Sequence, residues 1–536
     1  MSRLEALTLQ LAWDRLLAIV EEQAQALMRT AFSTVVREAG DLSAGVFSRE
    51  GLMLAQAVTG TPGHVNAMAA SVGKFLQRIP LDHLQPGDVL LTNDPWDGTG
   101  HLNDFTLVTP VFRNEQCVGM FASTSHIADV GGRGFGPDAN DLFEEGLRIP
   151  ISYLFRQGER DETLFRLLAA NVRDPVTAEG DLYSLTACND LGARQLLEML
   201  DDFELADLVE VGEHILSTSA AAMRTEIGKL EEGEYRHQMR IDGYDEPVDL
   251  VAMLTVTDST ILIDFSASSP ASPRGINVPL PYTEAYASFG VRCLVGNQIP
   301  NNAGSLGQIR VTAPVGCILN AQPPAAVSAR HSIGQMLPDV VLGCLVQILP
   351  DKVPAEGASC IWNPVLRSAA NFDNDDNFVT NPIFNGGTGA RPGKDGLATT
   401  AFPSGVRTTS TEVSEATTPL VIWRKEYRPD SGGAGEFRGG LGQIVEIAHR
   451  HGRPFVVSKM FDRIAHPASG RLGGDAGMPG AVYIKGGDQL AGKGRDLVPA
   501  GATLVLETPG GGGLGDPDDR SERARAADLA SGLSTR

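Results

Sequence analysis

The chain has 536 residues, with 44 Lys and Arg against 66 Asp and Glu, so its formal net charge is −22 at pH 7. This acidic excess disfavours nucleic-acid binding and polybasic membrane docking, because both depend on a basic surface. Hydrophobic residues make up 42% of the chain and charged residues 21%, as is typical of a globular protein. The 60 glycines and 32 prolines predict many tight turns.

Targeting signals and cysteine chemistry are also disfavoured by the sequence. No run of 18 uncharged apolar residues occurs, and charged residues interrupt the first 20 positions. We therefore expect neither a transmembrane helix nor a secretory leader. The six cysteines are widely spaced and form no C-x-x-C motif, which is typical of buried free thiols in a cytoplasmic protein.

Hydrophobic periodicity predicts the secondary structure of the first part of the chain. Apolar residues at three-to-four spacing indicate helices, and apolar runs bounded by turn residues indicate strands. The predicted elements are a helix over 3–37, a hairpin over 44–55, a helix over 66–78 and strands over 88–92, 105–112 and 118–125.

The rest of the chain changes in character towards its end. The predicted features are helices over 179–200 and 205–230, a hairpin over 247–266, mixed helices and strands over 275–350, an acidic, Asn-rich loop over 371–377, glycine loops over 385–396 and 429–442, short strands after 436, and a helix or frayed tail over 516–536. The pattern predicts an α+β fold with mixed sheets, long helices and a β-rich C-terminal region. We expect three regions, over 1–232, 233–425 and 426–536.

Two His-x-x-Asp pairs flank one predicted hairpin. His101 and Asp104 lie at the start of one strand, and His126 and Asp129 follow the end of the next. Imidazole and carboxylate groups suit Zn, Mn or Fe, and an open position on such a metal lowers the pKa of a bound water. The alternative is that these are ordinary loop residues, with Asp capping turns and His packing on a strand. Both interpretations stay open at this point.

Other isolated polar residues carry weaker signals. Asp41 follows a predicted helix and is a candidate from a third segment, although alone it is typical of a turn. His64 lies in a Pro-Gly-His-Val-Asn sequence and is interpreted as structural. His331 and His466 have no partner pattern.

No nucleotide-binding or nucleophile motif accompanies these residues. The glycine-rich segments over 429–442 and 509–517 match neither the P-loop nor the dinucleotide fingerprint. Close-packed turns are the simpler interpretation of both, and an anion site of backbone N–H groups is the alternative. The G-x-S-x-G elbow is absent, and Cys117 lies inside a predicted hairpin, so neither a serine nor a cysteine nucleophile is supported.

Several blocks in order along the chain match one known family. They are Asn93-Asp94-Pro95 with Gly98–Asp104, Ser125–Gly132, Glu145–Pro150, Gly180–Leu182, Arg428–Gly442 and Thr508–Pro517. Together they identify a sequence that resembles the hydantoinase B/oxoprolinase family. Two positions depart from the family pattern: Ser125 replaces a frequent His, and Asn103 replaces a frequent Pro. These departures concern the substrate more than the site.

The resemblance implies a division of labour between two subunits. A hydantoinase A-type partner subunit would bind ATP and phosphorylate the carbonyl oxygen of a cyclic amide, such as a hydantoin, 5-oxoproline or a lactam. The present chain would then open the ring with a metal-activated water. Two alternatives remain: a subunit of an ATP-dependent ketone carboxylase, and a non-catalytic partner subunit.

The resemblance also implies roles for particular residues. His101 and His126 are expected to ligate a divalent metal, either Zn, Mn or Fe, with Asp41 as a third ligand. Asp104 is expected either to ligate the metal or to activate the water. We expect a cytoplasmic hetero-oligomer whose ATP lies on the partner subunit, with no role in nucleic-acid or membrane binding.

Overall fold

The computed structural model describes residues 3–370 and 377–535. Within these ranges the chain has a mixed α+β fold with long helices and a β-rich C-terminal region, which confirms the predicted class. No helix in the described ranges is both long and apolar enough to cross a membrane. Most of the predicted acidic loop over 371–377 lies outside the described residues.

The first part of the chain combines long helices with one large sheet. Its helices and strands are α1 (Arg3–Thr30), α2 (Thr34–Arg37), β1 (Leu42–Phe47), β2 (Met53–Gln56), α3 (Pro62–Arg78), β3 (Val89–Thr92), β4 (Asp104–Arg113), β5 (Gln116–His126), β6 (Ser152–Arg156), β7 (Glu159–Arg160), α4 (Glu162–Asn171), α5 (Pro175–Asp202) and α6 (Val209–Ile227). The predicted helix over 3–37 is therefore two helices, and the predicted hairpins and strands are present.

These strands form a seven-stranded antiparallel sheet in the order β2-β1-β5-β4-β3-β6-β7. Alternate residues of β5 pack on opposite faces: Phe121 contacts the core beneath α1 and α5, and Met120 contacts the core beneath α3. Because helices cover both faces, β4 and β5 are apolar over nearly their whole length.

The middle of the chain forms a second, smaller sheet with its own helices. Its elements are β8 (Gly233–Ile241), β9 (Val248–Val256), β10 (Ile261–Asp264), α7 (Leu280–Arg292), α8 (Ala303–Leu306), β11 (Ile309–Thr312), α9 (His331–Gly334) and α10 (Leu337–Leu345). The sheet order is β11-β10-β9-β8, with β10 and β11 parallel. α7 packs against both α3 and α10, and so connects this part to the large sheet.

The last part of the chain is rich in strands, as predicted. Its elements are β12 (Val365–Ser368), β13 (Val379–Thr380), α11 (Thr411–Thr417), β14 (Leu420–Tyr427), β15 (Gln443–His449), β16 (Phe455–Met460), β17 (Ala481–Ile484), β18 (Lys493–Val498), β19 (Thr503–Glu507) and α12 (Glu522–Ala530). They form two sheets, β13-β12-β16-β18 and β14-β15-β19-β17, which share one hydrophobic core.

The glycine segments over 429–442 and 509–517 pack directly on each other. A Cβ atom on Gly439 would lie 1.9 Å from the carbonyl oxygen of Gly511. The Gly511 N–H donates to the Gly440 carbonyl at 3.0 Å. Because backbone atoms already fill this space and use these N–H groups, the structure supports close-packed turns rather than an anion site.

Candidate metal centre

One end of the large sheet brings three of the predicted site residues into a row. Asp104, the first residue of β4, is paired in register with His126, the last residue of β5. Asp41 precedes β1 directly, and its carbonyl oxygen accepts a hydrogen bond from the His126 N–H at 3.4 Å. Since β1, β5 and β4 are neighbours, residues far apart in sequence meet at this edge.

Two imidazoles converge on one oxygen of Asp104. The distance to Asp104 Oδ1 is 2.6 Å from His101 Nε2 and 3.3 Å from His126 Nδ1. All three residues are buried, and one potential ligand atom from each lies within 4.8 Å of those of the other two. Within residues 3–370 and 377–535, this is the cluster of His, Cys, Asp and Glu that has metal-binding spacing.

The other oxygen of Asp104 is equally surrounded. Thr99 Oγ1 donates to Asp104 Oδ2 at 2.8 Å, and the guanidinium of Arg330 also donates to it. His64 Nε2 lies 3.0 Å from the same oxygen. Arg330 is buried, donates from Nε to the Thr99 carbonyl at 2.9 Å and stacks 3.9 Å above the Tyr282 ring.

Gly100 makes room for this arginine. Its φ angle is +106°, which few side chains tolerate, and a Cβ atom there would lie 2.6 Å from Arg330 Nε. A larger residue would displace the guanidinium from Asp104. This glycine, within the Gly98–Asp104 block, therefore has a specific structural reason.

Electrostatics keep Asp104 ionised. Burial raises the pKa of Asp104, but the neighbouring His101, His64 and Arg330 outweigh it and hold that pKa well below its usual value. Burial and the Arg330 charge lower the pKa of His101 to about 3. Burial lowers the pKa of His64, but Asp104 and Asp41 outweigh it and leave that pKa raised. An ionised carboxylate facing a neutral imidazole is a chemically suitable donor pair for a divalent metal.

The tautomer of His101 also fits a metal. Its Nδ1 atom lies 2.9 Å from the carbonyl oxygen of Ser328. Because a carbonyl only accepts hydrogen bonds, Nδ1 carries the proton, and the lone pair of Nε2 faces the cluster. Backbone support of this kind is typical of metal-ligating histidines.

A buried glutamate holds Ser328 in place. Glu145 Oε1 accepts hydrogen bonds from the N–H groups of Val327 at 2.7 Å and Ser328 at 2.8 Å. Burial raises the pKa of Glu145 to about 8. Glu145 belongs to the Glu145–Pro150 block, and it acts on His101 only through the Ser328 backbone.

The cluster opens into a cavity of about 30 Å³, which is enough for one or two waters. Its lining includes residues that sequence reasoning did not single out. His331 Nε2 lies 3.1 Å from Asn363 Oδ1, and its ring stacks on Phe135. The residues lining the cavity are Val35, Asp41, Thr61, His64, His101, His126, Phe135, Tyr282, Tyr286, Arg330, His331, Gln335, Ile361, Asn363, Asn381, Ile383 and Val406.

The remaining predicted residues have different positions. Asp41 lines the cavity, with Oδ1 3.4 Å from His64 Nδ1, but it lies outside the compact three-residue cluster. His64 was interpreted as structural, and the structure instead places it against Asp104. Asp129 is remote from the cluster and forms an ion pair with Arg173 at 2.6 Å.

Two further sequence interpretations can be compared with the structure. His466 pairs with Asp242 at 3.0 Å, away from the cavity. Cys117 is buried, and burial raises the pKa of its thiol, so it has no activated character. All six cysteines are free, as expected.

Comparison with known proteins identifies the family. The model of the hydantoinase B/oxoprolinase family matches residues 5–517, so the chain belongs to this family. A relative from Pseudomonas sp. (strain NS671), provisionally named as the second component of a D-/L-hydantoinase, is 27% identical, and the match covers 100% of this chain and 94% of that protein.

Two solved structures share the fold. The ATP-dependent caprolactamase from Pseudomonas jessenii has a TM-score of 0.89 and 24% identity, over 99% of this chain and 94% of that chain. A nucleotide-free acetone carboxylase has a TM-score of 0.88 and 17% identity, over 99% of this chain and 78% of that chain. At these identities the likeness establishes the fold alone.

Proposed function

We propose that this chain is the ring-opening subunit of an ATP-dependent amidohydrolase. Its substrate would be a cyclic amide, namely a hydantoin, 5-oxoproline or a lactam, whose carbonyl oxygen is phosphorylated by a hydantoinase A-type partner subunit. The observation that carries the proposal is the buried convergence of His101, His126 and His64 on Asp104 in a member of this family. The protein would work as a cytoplasmic hetero-oligomer.

The donor set suits a divalent metal. Zn, Mn or Fe held by His101, His126 and Asp104, with Asp41 as a further ligand, would supply a water of lowered pKa. The low pKa of Asp104 favours a ligating role over a proton-accepting role, because a strongly acidic carboxylate is a poor base. Of the two roles that the sequence left open for Asp104, we therefore propose the ligand.

The protein residues around the donors would prepare the site. Arg330 neutralises Asp104 and fixes its orientation together with Thr99. The Ser328 carbonyl fixes the His101 ring. The cavity walls of Tyr282 and Phe135 exclude bulk water, which strengthens every charge interaction inside.

The absence of a nucleotide motif supports the two-subunit arrangement. Neither a P-loop nor a dinucleotide fingerprint occurs in the sequence. The name of the Pseudomonas relative describes one subunit of a hydantoinase, and both structural neighbours are described as ATP-dependent enzymes. The ATP site would therefore lie on another chain.

Reconstitution tests the proposal. The chain should be mixed with its A-type partner, a divalent metal and ATP, and assayed against a panel of hydantoins, 5-oxoproline and lactams. We expect ring opening and phosphate release that require both subunits. Robust hydrolysis by the lone chain without ATP would overturn the two-subunit arrangement.

The acetone carboxylase neighbour supports a second candidate, a subunit of an ATP-dependent ketone carboxylase. Activation of a carbonyl oxygen by phosphorylation would be shared, but bicarbonate would replace water as the reactant. The same reconstituted complex should be assayed with ketones, with and without bicarbonate. Product formation that requires bicarbonate would favour the carboxylase and contradict the amidohydrolase.

The third candidate, a non-catalytic partner subunit, predicts a different outcome. A complex containing His101→Ala would keep full activity, and elemental analysis of the chain would find no metal. Either retained metal in the unmodified chain or lost activity in the variant excludes that candidate.

A further inference from the structure

A second and larger cleft opens beside the metal centre. Its volume is about 830 Å³, and it shares Val35, Phe135 and Asn381 as lining residues with the small cavity. Four arginines from separate segments line it, and we call it the arginine cleft: Arg133, Arg173, Arg367 and Arg495. Since the small cavity holds only a water or two, any larger ligand near the metal centre must occupy this adjoining space.

The arginine cleft is electropositive in a chain whose net charge is −22. Its lining contains two aspartates against the four arginines. Asp129 forms an ion pair with Arg173 at 2.6 Å. Asp174 accepts the Thr177 N–H at 3.1 Å as the N-cap of α5. The carboxylates of the lining therefore do not neutralise the arginines of the opposite wall.

Two of the arginines have no carboxylate partner within residues 3–370 and 377–535. Arg495 on β18 donates to the Arg133 carbonyl at 3.1 Å, and Arg367 on β12 makes neither a hydrogen bond nor an ion pair there. Burial lowers the pKa of Arg367, and the charges of Arg495 and Arg173 lower it further. Like charges gathered without a counter-charge are typical of a site that binds an anion.

Strand register places these groups on one face. Ser458 of β16 lies between Val365 of β12 and Arg495 of β18, each directly paired with it, and Arg367 follows two positions after Val365. Because side chains two residues apart share a face of a sheet, Arg367, Ser458 and Arg495 all face the cleft.

Buried hydroxyl groups add hydrogen-bonding capacity to this wall and the facing one. Ser458 is 3% exposed, Ser33 is 4% exposed, and both line the cleft. The Oγ atoms of both are buried without a hydrogen-bond partner in the described part of the chain. Buried hydroxyls normally find partners, so two unpartnered ones beside unpaired arginines indicate a missing oxygen-rich ligand.

We propose that the arginine cleft binds a phosphoryl group. Guanidinium and hydroxyl donors suit the several oxygens of a phosphate better than one carboxylate, and a fork of N–H groups can bind two phosphate oxygens at once. The phosphate would be carried either by the activated substrate or by the released inorganic ion. The first identification rests on the proposed function, whereas binding of phosphate itself does not.

Calorimetric titration of the full-length chain with inorganic phosphate at low ionic strength tests the site. We expect the unmodified chain to bind phosphate, and Arg367→Gln to weaken it by about tenfold or more, as loss of a charged hydrogen bond would do. Arg310→Gln is the matched control, because Arg310 is exposed on β11, has no ion pair in the described residues and lies outside the cleft. Arg495→Gln provides a second variant should Arg367→Gln fail to fold.

The reconstituted complex distinguishes the two sources of phosphate. A raised KM or lowered kcat for the cyclic amide in Arg367→Gln would assign the site to the phosphorylated substrate. Unchanged amide kinetics with weaker product inhibition by phosphate would assign it to the released ion. Either result supports a phosphoryl site.

Two outcomes would overturn the inference and leave the proposed function separate. No phosphate binding by the unmodified chain, or equal affinity in Arg367→Gln and Arg310→Gln, removes the cleft as a phosphate site even if ring opening occurs. Conversely, phosphate binding that depends on Arg367 in a complex with no amide-opening activity would retain the site and reject the proposed function.

Discussion

The two His-x-x-Asp segments have the same spacing but different surroundings. Asp104 is fully buried beneath three imidazoles and an arginine, whereas the Asp129 carboxylate is partly exposed and binds Arg173. The reason is their place relative to the strands. Asp104 is the first residue of β4 and pairs with His126, but Asp129 lies three residues past the end of β5. Strand register, rather than motif spacing, selects the carboxylate that joins the cluster.

Removal of the selected carboxylate should have the largest effect. In Asp104→Ala the buried Arg330 charge loses its partner, so we expect the free energy of unfolding to fall by about 3–5 kcal/mol and ring opening to disappear. Urea unfolding and the assay of the reconstituted complex measure the two effects. The double variant Asp104→Leu with Arg330→Met should regain stability without activity. A change below about 1 kcal/mol in Asp104→Ala would contradict the role of this pair.

The imidazoles of the two segments should behave alike, because both contact Asp104. We expect His101→Ala and His126→Ala to lower metal content and activity by more than the roughly 10–100-fold typical of losing a supporting residue. Elemental analysis after loading with Zn or Mn measures the metal, and circular dichroism checks the fold. His331→Ala is the matched control, since His331 lines the same cavity but contacts Asn363. Unchanged metal content in both ligand variants would refute the site.

Sequence reasoning predicted the hairpin of β4 and β5 because its apolar runs and turn are local. The same local view could not predict Arg330, which contacts Asp104 across 226 residues through the packing of the middle region on the large sheet. It also interpreted His64 as structural, because the neighbours in its own segment offer no partner. Its position follows from α3 beginning beside the end of β1, which is a property of the fold rather than of a motif.

The glycine surplus was predictable in kind and not in detail. Turn chemistry alone accounts for glycine at loop ends, but Gly100 is needed because Arg330 arrives from a distant segment. The Gly439 and Gly511 contact likewise joins two segments whose proximity no local pattern reveals. Contacts made between segments, and not residue types, carry the information that was missing.

A third variant tests the support given only to the first segment. Glu145 binds the Ser328 backbone, which fixes His101, and its pKa is about 8 in the folded chain against 4.5 ordinarily. The folded state therefore binds the extra proton between these values. The stability that this group contributes is fully present below about pH 4.5 and is lost as the pH rises through about 8.

Glu145→Gln keeps the accepting oxygen but has no proton to lose. Relative to the unmodified chain, we expect its free energy of unfolding to improve as the pH rises from about 5 to about 8, by at most about 1.4 kcal/mol per pH unit. Urea unfolding at several pH values measures the difference between the two profiles. Parallel profiles would show that the carboxyl group is not titrating in this window.

The smallest effect should come from the carboxylate that register leaves out. Asp129→Asn keeps the oxygen that accepts the Gly131 N–H and weakens one ion pair to Arg173, whose side chain is 47% exposed, so we expect less than about 1 kcal/mol of destabilisation. Asp104→Asn is the matched substitution in the other segment. Metal content should survive in Asp129→Asn and fall in Asp104→Asn, because only Asp104 faces both imidazoles. Equal metal loss in the two variants would mean that the motif, and not the strand register, defines the site.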